Sequence, residues 1–136
     1  MKSDNKTTKK RLIFDMSELN KSINLRKFTI TKLSDIMPHI FENKIAVSFN
    51  ISKAYFHVPI NPKYKKYFSF NFQFNFYNFN AMPFGLSTAL YIFTKFISPV
   101  LEYLRKNFKI QIFSYIDDFL LPSKTRKQLK KILKFL

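Results

Sequence analysis

Alternation of apolar and polar residues dominates the middle of the chain. In "FSFNFQFNFYNFN" a phenylalanine stands at every second position from Phe68 to Phe76, which is the period of a strand with one buried face. The run is too long for one short strand and its phase changes at Tyr77, so the pattern predicts a hairpin with its break there. We expect the phenylalanines to form one face of a core; platforms on which nucleic-acid bases stack are the alternative.

Helical spacing of apolar residues predicts three helices elsewhere in the chain. The first covers "TKLSDIMPHIF", where Pro38 should disturb the later part, and the second runs from about Ser87 to Lys106 with a kink at Pro99. The third lies in the basic last segment. The apolar faces of the first and the third helix are formed by Leu33, Ile36, Met37 and Ile40, and by Leu129, Ile132, Leu133 and Leu136.

Short apolar runs predict the strands of a sheet. "RLIF", "KIAVSFNI", "FKIQIFSYI" and "FLLPS" are typical of strands, and the second of them has the composition of a buried one. "DMSELNKSI" predicts a turn or short helix, and "SKAYFHV" predicts about one helical turn that ends before Pro59. The order of elements predicts an α+β domain in which helices pack on one side of an antiparallel sheet.

Charge changes this picture by suggesting a partner. The chain has 24 Lys and Arg against 8 Asp and Glu, a formal net charge of +16. Such a charge attracts polyanions, and nucleic acid is the commonest of them. An anionic membrane is the alternative, because "KTRKQLKKILKFL" is basic and amphipathic. We predict that residues 1–10 form a disordered basic tail.

Several kinds of site are excluded by composition. The chain has no cysteine, which excludes disulfides and thiolate metal sites and fits a reducing compartment, so we expect an intracellular protein, cytoplasmic or nuclear. Its two histidines, His39 and His57, are far apart in sequence and suggest no zinc site. No apolar run is long enough to cross a bilayer.

Two adjacent carboxylates form the strongest candidate site. Asp117 and Asp118 stand between two predicted strands in "SYIDDFLL". Neighbouring anions repel each other, and a cation bound between them relieves the repulsion. Hard divalent cations such as Mg²⁺ take oxygen ligands and share them with substrate phosphates. An exposed turn also often holds Asp, so the doublet alone would be weak support for a metal site.

The surrounding motifs make the doublet more specific. The blocks "RLIFDMSELNK", "VSFNISKAYFHVPI", "MPFGLSTALYIFTKF" and "YIDD" follow one another over residues 11–122. In this order they resemble the reverse transcriptases of LTR-type retroelements, most of all DIRS-like or gypsy-like elements. The resemblance implies an α+β fragment of such a domain over residues 11–136. Its fingers segment would cover about 11–43, and its palm, an antiparallel sheet with helices on one face, about 44–136.

The resemblance also implies roles in two-metal nucleotidyl transfer. Asp117 matches the family's metal-binding aspartate and Asp118 its auxiliary carboxylate, which would hold Mg²⁺ or Mn²⁺. The family's other metal-binding aspartate falls at Asn50, and no Asp or Glu occurs between Glu42 and Glu102 to replace it. The backbone carbonyl of Ile51 would remain as a ligand. The resemblance therefore implies two ions in the intact family but doubtful occupancy here.

Further matches imply contacts with a nucleotide. Tyr55 matches the steric gate that excludes a 2′-OH, although a core aromatic residue is the alternative. Arg11 matches an arginine that grips the triphosphate, although it could equally be a solvated charge beside the basic tail. Phe84 and Gly85 match the loop beside the nascent base pair. Tyr115 matches an aromatic residue that packs under the metal-binding turn.

The predicted function is RNA-directed DNA polymerisation, impaired by Asn50 and by the absence of a thumb and an RNase H domain from this length of chain. Template-primer RNA or DNA and dNTP are the implied partners. The alternative is a non-catalytic nucleic-acid-binding remnant of a truncated retroelement polymerase. A membrane-surface or self-associating protein is a third hypothesis, and we expect part of the palm surface to be exposed and to favour self-association.

Overall fold

The computed structural model describes residues 14–24, 27–43 and 45–134. Its elements alternate between helices and short strands along the chain. The helices are α1 (Ser17–Lys21), α2 (Leu33–Phe41), α3 (Ala89–Phe108) and α4 (Arg126–Leu133), with the 3₁₀ helices η1 (Ala54–His57) and η2 (Pro62–Phe68). The strands are β1 (Ile45–Asn50), β2 (Ser69–Phe72), β3 (Asn75–Asn78), β4 (Phe113–Tyr115) and β5 (Asp118–Ser123).

A three-stranded antiparallel sheet in the order β1-β5-β4 forms the centre of the fold. Alternate residues of β1 and β5 point to one face, where Phe49 stacks on Phe119 with 5.2 Å between ring centroids. Leu101 of α3 and Leu129 of α4 are buried in the same cluster. The prediction that β1 is buried was wrong, because its even-numbered residues are exposed. The core therefore lies against one face of the sheet, and the other face of β1 is exposed.

The opposite face of this sheet borders an open cleft of about 970 Å³. Ser48, Phe113 and Leu120 line it from the strands, and Ile36 lines it from α2. The ring of His39, also on α2, lies 5.1 Å from the ring of Phe113. The helix α2 therefore lies on this side, whereas α3 and α4 pack on the other face, so the prediction of helices on one side holds for α3 and α4 and is wrong for α2. The mixture of helices and antiparallel sheets is compatible with the predicted α+β class.

A second apolar cluster holds η1 against the start of α3. Ala54 and Val58 are buried there with Met82, Leu86 and Phe93. The N–H of Met82 donates to the carbonyl of Val58 at 2.9 Å, which ties η1 to the loop before α3. The predicted helical turn before Pro59 is confirmed by η1. This cluster fixes the position of Tyr55, which lies within η1.

The phenylalanine run forms the predicted hairpin, with a different break. The turn lies at Gln73–Phe74, not at Tyr77, and joins β2 to β3 in a sheet of two strands. Even-numbered residues of β2 pair with odd-numbered residues of β3, so the run changes face at the turn. Phe72, Phe74 and Phe76 are 58, 99 and 83% exposed. The prediction that the whole run forms one face of a core was therefore wrong.

The helices agree with the predicted positions more closely than the strands do. The helix α2 begins where the N–H of Lys32 donates to the Asp35 carboxylate at 3.0 Å, and Pro38 lies within it. The helix α3 begins two residues later than predicted and contains Pro99. It ends before Lys109, whose φ of 51° is left-handed.

Two predicted strands are shorter than expected or lie outside the described residues. Residues 109–112 are irregular, so β4 covers only the last part of "FKIQIFSYI". Most of "RLIF" and the predicted tail 1–10 lie outside the described ranges, and Phe14 belongs to no strand. Within those ranges, none of the helices combines the length and apolar character that crossing a bilayer requires.

Candidate functional site

The candidate site is built where β1 ends beside the β4–β5 turn. Asn50 pairs with Asp118 in the sheet register, and Asp118 also pairs with Tyr115 on its other side. Asn50 Nδ2 donates to Asp118 Oδ1 at 3.3 Å. The N–H of Ile51 donates to the backbone carbonyl of Asp117 at 3.2 Å. Residues far apart in sequence thus meet at one end of the sheet, as the resemblance implied.

The turn that carries the carboxylates has a strained backbone. Ile116 and Asp117 form its two central residues, and Ile116 has a φ of 60°. A β-branched side chain is rarely found in this left-handed region, and such a residue costs roughly 1–3 kcal/mol. Strain of this kind is retained where the surrounding structure holds it, here the pairing of β4 with β5. Asp117 is half-buried and Asp118 is exposed at this turn.

Tyr55 forms a second wall of the site. Its ring centroid lies 5.4 Å from that of Phe84 and 5.8 Å from that of Phe93. Burial, followed by the negative charge of Asp117, raises the pKa of Tyr55 above the ordinary value of 10.0. The charge of Asp117 thus acts on the phenol of Tyr55, the residue predicted to be the gate.

The loop before α3 approaches the N-terminal segment closely. Gly85 has a φ of 93°, and a Cβ added there would lie 3.2 Å from the carbonyl oxygen of Phe14. Both facts require glycine at this position. Phe84, beside it, contacts the ring of Phe56 edge to face as well as Tyr55. The loop therefore lies between the N-terminal segment and the aromatic rings of Tyr55 and Phe56.

Asn20 is a positioning residue that the sequence did not suggest. Its side-chain Nδ2 donates to the carbonyl of Gly85 at 2.9 Å, and its Oδ1 accepts from the N–H of Ser87 at 2.8 Å. One amide thereby satisfies two backbone groups of the loop. Asn20 lies in α1, which begins two residues after Asp15. Hydrogen bonds from Ser17 hold the pKa of Asp15 below its ordinary value. The partners of Asn20 are more than 60 positions away, so local sequence patterns carry no signal for them.

Most of the sequence-predicted residues converge, and one lies outside the described residues. Asn50 and Ile51 hydrogen-bond to the two aspartates, and Phe84, which precedes Gly85, contacts the ring of Tyr55. Tyr115 is half exposed and lines the cleft rather than packing under the turn. Arg11 lies outside the described residues. Among the residues that the structure describes, no three His, Cys, Asp or Glu side chains form a metal-binding group.

Comparisons with known proteins show the family of the chain. The model of the family described as "Reverse transcriptase (RNA-dependent DNA polymerase)" matches residues 1–136. The chain is 26% identical over 137 residues to "Protein P" of Duck hepatitis B virus (isolate brown Shanghai duck S5), covering 96% of this chain and 17% of that protein. It is 28% identical over 135 residues to the "Pol polyprotein" of Equine infectious anemia virus (isolate 1369), covering 90% and 11%.

A third relative is a polyprotein of Cassava vein mosaic virus. It is 27% identical over 128 residues, covering 94% of this chain and 19% of the relative. The chain thus spans less than a fifth of the length of each of these curated relatives.

Proposed function

The chain belongs to the reverse transcriptase (RNA-dependent DNA polymerase) family, and from this premise we propose that it is a fragment of an RNA-directed DNA polymerase with an impaired catalytic site. One observation carries the proposal. Asn50 stands in the place of a carboxylate and donates a hydrogen bond to Asp118 Oδ1. The site therefore keeps the family's arrangement of side chains but lacks one of its charges. The assignment of residues 11–43 to fingers and 44–136 to palm, and the relation to DIRS-like or gypsy-like elements, belong to the same proposal.

The donor set at the site fits one divalent ion better than two. Asp117 and Asp118 supply carboxylate oxygens, and Asn50 or the carbonyl of Ile51 can supply a neutral oxygen. These are the ligand types that Mg²⁺ and Mn²⁺ take. When bound, such ions stabilise the charge of the attacking and leaving oxygens in phosphoryl transfer. Two carboxylates are a low protein charge for a pair of ions, so we propose that a second ion binds weakly.

The size of the catalytic defect follows from the missing charge. Removing one preorganised electrostatic contact from a transition state typically lowers the rate by about a hundredfold to a thousandfold. Losing the charge of a metal ligand is at least as severe, so we expect polymerisation to fall by roughly a thousandfold or more. Asn50 also removes a repulsion, because an amide donor now faces Asp118 where a third anion would stand. The side chain thus favours the metal-free fold.

The remaining residues support a binding site for template-primer and dNTP. Tyr55 would lie under the sugar of an incoming nucleotide and exclude a 2′-OH, since its ring is held by Phe84 and Phe93. Phe84 and Gly85 would adjoin the new base pair. Arg11 would bind the triphosphate, for which a guanidinium group is well suited.

A second candidate function is nucleic-acid binding without catalysis. The same hydrogen bond from Asn50 favours it, because the amide fills the space between β1 and the turn without a metal. The net charge of +16 supports binding to phosphates. This function needs no second ion. It would be observed as salt-sensitive binding to RNA or DNA with no incorporation of nucleotide.

Primer extension separates these two functions. The chain and its Asn50→Asp variant would be assayed on an RNA template with Mg²⁺ and with Mn²⁺. We expect little or no extension by the unmodified chain and a large increase in the variant. Calorimetric titration with Mn²⁺ gives a second readout, since a third carboxylate should tighten binding by about tenfold or more.

A matched control is Asn61→Asp. Asn61 caps η2, where its side chain accepts from the N–H of Lys63 at 3.0 Å. Asp is an equally good cap, so this variant changes the charge and leaves the local structure intact. The Mn²⁺ affinity should not change in it. Robust synthesis by the unmodified chain, or an Asn50→Asp variant that binds Mn²⁺ no better, would overturn the proposed defect.

A further inference from the structure

Three exposed phenylalanines project from the β2–β3 hairpin, and we name Phe72, Phe74 and Phe76 the aromatic ribbon. All three are more than half exposed, and Phe74 is almost completely so. Isolated exposed apolar residues are ordinary, but three within five positions form a patch of the kind that marks an interaction site. The catalytic arrangement described above uses none of them.

The register explains why the fold itself leaves the ribbon uncovered. Phe70 and Tyr77 pair directly and their rings stack at 5.5 Å, and Phe72 continues that face. Phe76 pairs with Asn71 and lies on the opposite face, while Phe74 is in the turn. One layer of protein could not cover both faces and the tip. Within the described ranges, β2 and β3 form a sheet with no third strand.

The part of the chain that contains the ribbon is cationic, and Asp15 is an acidic residue next to Phe14, whose ring lies 4.6 Å from that of Phe70. No Asp or Glu occurs between Glu42 and Glu102, whereas six lysines do. The helix η2 leads directly into β2 and lies against β3. It exposes Lys63 and Lys66 and carries exposed Tyr64 and Tyr67. Lys66 Nζ lies 5.1 Å from the ring centroid of Tyr67. Positive charge and exposed rings are thus adjacent.

We propose that the aromatic ribbon and η2 bind a single-stranded polynucleotide, RNA or DNA, with the phenylalanines stacked on bases and Lys63 and Lys66 placed near phosphates. Stacking on aromatic side chains beside a positive surface is how proteins bind single strands without reading sequence. The amide side chains of Asn71 and Gln73 are available for base edges, whereas Asn75 Nδ2 donates to the carbonyl of Gln73 at 3.1 Å. The inference rests on the nucleic-acid binding proposed above and names the surface responsible for it.

Two other occupants fit the surface less well. A membrane would have to accept an open hairpin, whose unpaired backbone edges are costly in hydrocarbon. A second copy of the chain could pair along an edge strand. Each copy, however, carries a formal charge of +16, and that repulsion opposes association. A polyanion with planar bases satisfies both the charge and the rings.

The test compares strands with and without bases. A labelled single strand of about twelve nucleotides, as DNA and as RNA, is titrated alongside an abasic sugar–phosphate strand of equal length. The variant is Phe72→Thr/Phe74→Asn/Phe76→Thr, because Thr keeps strand propensity and Asn tolerates the left-handed turn. We expect it to bind the strands that carry bases at least about tenfold more weakly. Its affinity for the abasic strand should be unchanged.

Two control variants separate stacking from charge and from general exposure. Phe41→Ala removes an exposed phenylalanine at the end of α2 and should alter neither affinity. Lys63→Ala/Lys66→Ala should weaken binding to both kinds of strand and reduce the slope of log affinity against log salt. If the ribbon variant loses the same affinity for the DNA strand as for the RNA strand, the ribbon does not distinguish deoxyribose from ribose.

The outcomes distinguish this surface from the proposed function itself. If the unmodified chain and the ribbon variant bind the base-carrying strands equally, the ribbon proposal is overturned while nucleic-acid binding stands. If neither binds any strand, the proposed nucleic-acid binding fails as well. If the variant loses only binding to phosphatidylserine vesicles, or only self-association in sedimentation, the occupant is a membrane or a second copy and the proposal is wrong.

Discussion

The three-stranded sheet and the β2–β3 hairpin are both antiparallel and rich in phenylalanine, yet only the first is covered. Phe119 in β5 is 2% exposed, whereas Phe76 in β3 is 83% exposed. The difference lies in the second layer: α3 and α4 pack their apolar residues against β1 and β5. Alternation shows which residues share a face, but burial requires another element to lie on that face.

The β4–β5 turn and the β2–β3 turn differ in the side chains that they present. Ile116 in one and Phe74 in the other both adopt a left-handed conformation, with φ of 60° and 63°. The first turn presents the carboxylates of the candidate catalytic site, whereas the second presents an exposed ring. In both, a large residue occupies a position for which Gly or Asn would be less strained. Both turns therefore hold the side chains of a proposed site at a cost in backbone energy.

The largest expected effect contrasts buried with exposed phenylalanine. Phe119→Ala should lower the free energy of unfolding by about 3–5 kcal/mol, because it empties space between β1, α3 and α4. Phe76→Ala should change it by no more than about 0.5 kcal/mol, since the ring is already in solvent. Urea unfolding measures both. Similar losses for the two variants would mean that the hairpin is covered.

The next effect concerns the end of the three-stranded sheet. Asn50→Asp places a third carboxylate opposite Asp118 and should lower the free energy of unfolding by about 1 kcal/mol without metal. Saturating Mn²⁺ should restore the loss, because an ion that binds only the folded chain stabilises it. Thermal unfolding with and without Mn²⁺ gives the measurement. Asn61→Asp, beside the hairpin, should show neither change.

Relieving the backbone strain of a turn should change the free energy of unfolding by a smaller amount. Phe74→Gly should raise the free energy of unfolding by up to about 1 kcal/mol, because Gly adopts a positive φ without steric cost and the lost ring had no burial. Ile116 is half-buried, so Ile116→Gly also loses packing contacts. The free energy of unfolding should therefore rise less in this variant than in Phe74→Gly. Urea midpoints test the order. A greater gain at Ile116 would contradict it.

The smallest expected effect is a loss of stability at high pH that is caused by Tyr55. Burial and the charge of Asp117 raise its pKa above 10.0, so the folded chain holds the phenolic proton more tightly than the unfolded chain. This contribution to stability is present below about pH 10 and is lost as the pH rises through the raised pKa. Tyr55→Phe should flatten that decline in unfolding experiments.

The contribution of Asp117 to the raised pKa of Tyr55 can be tested separately. Asp117→Asn removes the second contribution, so the pKa of Tyr55 should fall part of the way toward 10.0, as measured by tyrosinate absorbance. Burial, the larger cause, remains in this variant. An unchanged pKa would show that the two side chains do not interact.

Much of the secondary structure follows from local patterns. The positions of α2, α3 and α4 follow from apolar spacing, and the hairpin follows from strict alternation. The family resemblance of the sequence motifs located Asn50 and the aspartate doublet, and the register of β1 with β5 brings them together. Their chemical roles stay predictions, since they depend on ligands and substrates.

Other features depended on contacts that no local pattern carries. The choice of a turn at Gln73–Phe74 instead of Tyr77 moved Phe76 to the other face and Phe74 into the turn, because a two-residue turn fixes which residues pair. Asn20 reached the loop at Gly85 across a long sequence separation. The placement of α2 on the cleft side of the sheet likewise followed from packing.

Residue order alone established the charge of +16, the lone glycine, the asparagine at position 50 and the periodicities that form helices and strands, because each is a property of the chain's composition or of neighbours along it. Folding decided which apolar faces were covered and which charges met. Burial and pairing are properties of distant residues, and their energies depend on how whole elements pack.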